Sequence, residues 1–103
     1  MAVDIHGGHA GELGRFAEAL AAYQQVIDRY GEDPAPALRE RVAAALGNQG
    51  AMFGNLGRFA EALAAFQQVI DRYGEDPTPK MRKRVERATT SSSDIRGRQR
   101  RSD

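Results

Sequence analysis

Cysteine and tryptophan are both absent from this 103-residue chain. Without cysteine there are no disulfides, thiolate metal sites or thiol nucleophiles. Aromatic content is only 7%. No apolar run approaches the roughly 20 residues needed to cross a bilayer. Serine occurs only at Ser91, Ser92, Ser93 and Ser102, and histidine only at His6 and His9. An enzyme needs a nucleophile, a base, a metal or a phosphate cradle gathered in a pocket, and these few residues do not assemble one. The two histidines are spaced i, i+3, but no third ligand accompanies them. No catalytic residue, metal or cofactor is therefore expected. Met1 to Gly8 shows neither a basic region nor an apolar core, so no secretory leader is visible and a cytoplasmic setting is expected. The net charge of +1 does not by itself imply a nucleic-acid or membrane partner.

What the chain does have is self-similarity. Leu13-Gly14-Arg15-Phe16-Ala17-Glu18-Ala19-Leu20 returns as Leu56-Gly57-Arg58-Phe59-Ala60-Glu61-Ala62-Leu63, an offset of 43 residues. From Leu13–Pro34 to Leu56–Pro77, the only change in 22 positions is Tyr23 to Phe66. Beyond that the match decays. Pro36, Arg39, Arg41, Val42 and Ala45 recur as Pro79, Arg82, Arg84, Val85 and Ala88, while most of their neighbours differ.

Each unit reads as two helices. Phe16, Ala19, Leu20, Tyr23, Val26, Ile27 and Tyr30 fall at steps of three and four, which draws one apolar stripe along a helix. Gly31 follows as an expected left-handed terminating residue. Phe59 through Gly74 repeats the pattern. The other helix opens near Pro36, a good first-turn residue, and carries Leu38, Val42, Ala45, Leu46, Phe53 and Leu56. Its second half holds Gly47, Gly50, Gly54 and Gly57 on one face. Each interior glycine costs a helix about 1 kcal/mol relative to alanine. Close approach of a neighbouring helix would offset that cost; a glycine-lined ligand site or simply a weak helix are the alternatives. A third copy of this helix begins at Thr78-Pro79. It is expected to fade near Thr89-Thr90, with residues 91–103 forming a disordered basic tail. The organisation expected is thus a partial repeat start over 1–12, a helical repeat domain over 13–90 and a tail over 91–103.

These positions resemble the tetratricopeptide family of helix–turn–helix repeats. The resemblance is carried by Leu46, Gly50, Phe53, Gly57, Phe59, Ala62, Phe66 and Val69, and in the earlier copy by Gly7, Gly14, Phe16, Ala19, Tyr23 and Val26. It covers roughly residues 3 to 89. It implies an all-α fold, a short right-handed solenoid of stacked helical hairpins. The unit departs from the family's usual 34 residues by about nine, placed around Glu32 to Glu40, which should lengthen the first helix of each pair. The family's usual leucine one turn into that helix is Gln49 here.

The resemblance also implies a non-catalytic protein-interaction module whose groove is lined by the first helix of each pair. Positions that would face it are Ala44, Gly47, Asn48, Ala51, Gly54 and Asn55. They are small, and suit a closely packed apolar helix better than a charged peptide end. Stacked repeats usually need at least three units for stability. With about two and a half near-identical units, self-association through the terminal helices is expected, as a homodimer or larger; a chain cut from a longer array is the alternative.

Charge is unevenly spread. Residues 80–103 sum to +6 and residues 1–79 to −5. Lys80, Arg82, Lys83, Arg84 and Arg87 form a basic patch. It supports a rival reading, an accessory binder of nucleic acid or an acidic partner. No aromatic is interleaved with these cations to stack on bases. Glu32-Asp33 and Glu75-Asp76 precede helix starts, where negative charge favours the helix dipole, so no catalytic role is assigned to them.

Overall fold

The computed structural model describes residues 12–102, with side chains described over 14–100. Four helices follow one another: α1 (Glu12–Tyr30), α2 (Pro36–Asn55), α3 (Phe59–Tyr73) and α4 (Pro79–Ser102). Each packs against the next, and α2 also packs against α4, whereas α1 and α3 do not meet. The result is two layers, α2 with α4 and α1 with α3. The shortest dimension of 18 Å is about two helix diameters. This is an all-α helical repeat solenoid. Among the described residues there is no strand, and no helix is long and apolar enough to cross a membrane.

The stripes read from the sequence meet in one core. Val42, Leu46 and Val69 are its largest fully buried side chains, joined by Ile27, Ala62, Phe66, Tyr73, Met81, Ala88 and Ile95. Gln49, where a leucine was expected, is also buried. Its Nε2 donates to Gln24 Oε1 at 3.0 Å and to the Leu20 carbonyl at 3.5 Å, so it ties α2 to α1 through polar contacts.

The turns are specified locally. Gly57 has φ 77, the left-handed region, and is the only described residue with positive φ. Around it Gly57 N–H bonds Gly54 O at 3.1 Å and Arg58 N–H bonds Phe53 O at 2.8 Å, which closes the end of α2. The left-handed conformation expected at Gly31 is not found. Gly31 and Gly74 instead donate to Ile27 O and Ile70 O at 2.8 Å, and an added Cβ at either would lie 2.5 Å from that oxygen. At the next turn Asp33 Oδ1 accepts from Ala35 N–H at 2.9 Å, and Asp76 Oδ1 accepts from Thr78 N–H at 2.9 Å and Thr78 Oγ1 at 2.7 Å. The second acid of each pair thus builds the turn that delivers Pro36 and Pro79 to the first helical turn.

Two further expectations are corrected. Gly47, Gly50 and Gly54 of α2 and Gly57 of the following turn do not share one cause. A Cβ at Gly50 would lie 2.6 Å from Phe66 Cε1, so close packing requires that glycine; at Gly47 and Gly57 no atom lies within 4 Å. The fading of the last helix near Thr89 does not occur either, and residues 91–102 are not a disordered tail. Helix α4 runs on to Ser102. Met81, Val85, Ala88, Ser92 and Ile95 are spaced four, three, four and three, which continues one inward stripe through the polar segment. Ser92 is 3% exposed and Ile95 6%. Thr89 folds its hydroxyl back onto the Val85 carbonyl at 2.9 Å, which satisfies it within the helix. The expected partial repeat over 1–12 and the His6/His9 pair fall almost wholly outside the described residues.

Candidate partner-binding cleft

Placing α2 beside α4 leaves a cleft of about 200 Å³ between them. From α2 come Ala43, Ala44, Gly47, Asn48 and Ala51; from α4 come Arg84, Arg87, Ala88 and Ser91; Phe66 and Val69 of α3 reach it from behind. Small residues on α2 hold the space open, since side chains at steps of three and four share a helix face. Gly47 contributes by having no side chain at all.

Four of the six groove positions, Ala44, Gly47, Asn48 and Ala51, therefore line a single surface. Gly54 lies further along α2, where an added Cβ would sit 3.9 Å from Ile95 Cδ1. Asn55 is exposed at the end of α2 and does not line the cleft.

The basic patch divides. Arg84 and Arg87 line the cleft itself, and with Lys80, Lys83 and Glu40 they also border an adjoining hollow of about 190 Å³. Glu40 is the local counter-charge. Its Oε1 lies 3.5 Å from Arg84 Nη2 and its Oε2 lies 3.8 Å from Lys80 Nζ. Arg82 points elsewhere; it is exposed and lines neither hollow. Two surfaces that read as separate in the sequence, a bare groove and a basic patch, overlap at Arg84 and Arg87. The signal was present. Shifting Ala44 and Asn48 forward by 43 gives Arg87 and Ser91, both of which line the cleft.

A second polar constellation joins the starts and ends of neighbouring helices. Arg39 of α2 lies over the Tyr73 ring, 5.1 Å from guanidinium carbon to ring centre, and its Nη2 donates to Asp76 Oδ2 at 3.0 Å. The Thr78 backbone and hydroxyl bonds, followed by Arg39, hold the Asp76 carboxyl below its ordinary pKa.

Comparison with known families settles what the repeat is. One tetratricopeptide repeat model matches residues 42–75, and a second matches residues 10–33, together more than half of the chain. The chain belongs to the tetratricopeptide repeat family. No curated protein and no solved structure gave a match. The matched spans end and begin around residues 34–41, so the first turn and a half of α2 lies outside both. Tetratricopeptide repeats generally mediate protein–protein interaction and are typically non-catalytic scaffolds. Among the described residues no group of three or more His, Asp or Glu side chains could hold a metal ion.

Proposed function

We propose that this tetratricopeptide protein is a non-catalytic interaction module whose α2/α4 cleft receives an acidic, small-featured segment of a protein partner, and that it self-associates through its exposed terminal helices. Support for the cleft is the juxtaposition of Arg84 and Arg87 with a surface made of Ala44, Gly47, Asn48 and Ala51. The small residues allow a helix or extended strand to lie close, and two guanidiniums at the edge favour carboxylates on it. The same repeat is read as a 43-residue long-unit variant, because the residues beyond 34 enter the first helix of each pair, giving α2 20 residues and α4 24.

Nucleic acid is the competing ligand for these cations. The cleft favours protein, because Ala43, Ala44, Gly47 and Ala51 give it a mostly apolar wall where a phosphate backbone needs a row of cations.

The test is amide chemical-shift mapping of the whole chain with two probes, a short amphipathic peptide of glutamate and leucine and a duplex oligonucleotide. The expected result is peptide-induced shifts at Ala44, Gly47, Ala51, Arg84 and Arg87, lost in Arg84→Glu and Arg87→Glu. Shifts outside the cleft, or binding of the oligonucleotide alone, would overturn the assignment.

A further inference from the structure

Within this chain the C-terminal end of α3 is covered by the first turns of α2. Arg39 lies over Tyr73 and donates to Asp76, and Tyr73 is only 3% exposed. Moving back by the 43-residue offset brings this arrangement onto Tyr30 and Asp33 at the end of α1, whose sequence is nearly that of α3. Here the cover is missing among the described residues. Tyr30 is half-buried rather than buried. Asp33 uses Oδ1 for the Ala35 N–H, and its Oδ2 has no partner among the described residues where Asp76 Oδ2 has Arg39. A hollow of about 600 Å³ opens along Val26, Arg29 and Tyr30.

We propose that this hollow is a socket for the first turns of α4 from a second copy of the chain, with that copy's Arg82 lying over Tyr30 and donating to Asp33 Oδ2. The inference rests on the self-association reading above and names the two surfaces that meet.

Three observations select this occupant. Arg82 is the 43-residue counterpart of Arg39 and follows Pro79 as Arg39 follows Pro36. It is exposed, and its side chain has no partner among the described residues. Charges also match: Arg82 and Lys83 stand exposed on α4, and at the end of α1 the acids Asp28, Glu32 and Asp33 outnumber the cations Arg29 and Arg72, the latter donating to the Gly31 carbonyl at 3.3 Å. In addition, the stacking order α1, α2, α3, α4 would continue with α1 of the next copy, each helix meeting the kind of neighbour it already meets inside one chain.

The contact is short. Val85 stands where α2 has Val42, but Glu86, Thr89 and Ser93 replace Ala43, Leu46 and Gly50, so the apolar seam runs out after about two turns. Association is therefore reversible, weakened by salt, and head-to-tail, which builds an open row of copies rather than a closed pair.

Sedimentation velocity over a concentration series tests this, in low salt and again near 1 M salt, where the Debye length is about 3 Å. The mass rises with concentration in low salt and falls back at high salt. Arg82→Glu and Asp33→Asn each weaken association about fivefold or more, while circular dichroism stays unchanged. Asp33→Asn keeps the Oδ1 acceptor that the turn uses. Because the two groups meet each other, Arg82→Ala combined with Asp33→Asn weakens association no further than the worse single change. Association unaffected by either substitution would overturn the socket while leaving self-association standing. A chain that stays monomeric at every concentration would overturn both.

Discussion

The Phe66 ring fills the space that a side chain at Gly50 would need. An added Cβ there would lie 2.6–2.9 Å from three ring atoms. The close approach of α2 and α3 depends on that missing methyl group.

Gly50→Ala should therefore destabilise the fold by about 1–3 kcal/mol through overpacking, although alanine is the better helix former by about 1 kcal/mol. Gly47→Ala is the matched control, since nothing lies within 4 Å of its Cβ. It should stabilise by up to about 1 kcal/mol. Urea unfolding of the two variants should move in opposite directions.

Gly57 carries a different requirement. Its φ of 77 is unfavourable for a residue with a Cβ, even though no atom crowds the position. Gly57→Ala should cost about 1–2 kcal/mol. The loss should appear as a lower midpoint in thermal unfolding with the helical spectrum intact.

The last helix gives a paired prediction. Ile95→Ala should destabilise by about 2 kcal/mol, because Ile95 anchors the far half of α4 in the core. Ser92→Ala should be neutral or stabilising by up to about 1 kcal/mol, since Ser92 Oγ is buried without a hydrogen-bond partner among the described residues. A stabilising Ile95→Ala in chemical denaturation would contradict the packing of α4.

Asp76 sets a pH dependence. Its folded-state pKa is lowered, first by the bonds from Thr78 and then by Arg39, so it contributes stability above the ordinary value of 3.8 and loses it as pH falls through the folded value. Asp76→Asn can keep the acceptor for Thr78 but removes the charge that Arg39 meets. The variant should melt below the parent at neutral pH. The gap should close as the solution is acidified below 3.8.

The two central helices were legible because their stripes are strong and their stop signals local. Phe59, Ala62, Phe66, Val69 and Tyr73 define α3 with no tertiary information, and Gly57 marks the turn before it. The far half of α4 was hidden by composition. Thr89-Thr90-Ser91-Ser92-Ser93 and the arginines after them look like a solvated terminus, and the inward stripe is carried there by only Ser92 and Ile95. Tertiary contact decides such a segment, because a small serine and one isoleucine suffice once two other helices offer a surface. The cleft was half visible. Its α2 wall followed from helical spacing and the family resemblance, but the opposing arginines belong to a helix 40 residues away in sequence, and only the α2/α4 packing brings them across. That Gly50 is bare for close packing and Gly57 for a left-handed turn could not be read either, since spacing treats the four glycines alike.

Because α1 leans on α2 alone among the described helices, while α3 is gripped on two sides, the molecule should open from one end. Backbone amides of α1 would exchange with deuterium first, and those of α3 would hold out until the whole structure gives way. Such a gradient lets the leading helix trade neighbours without melting the rest.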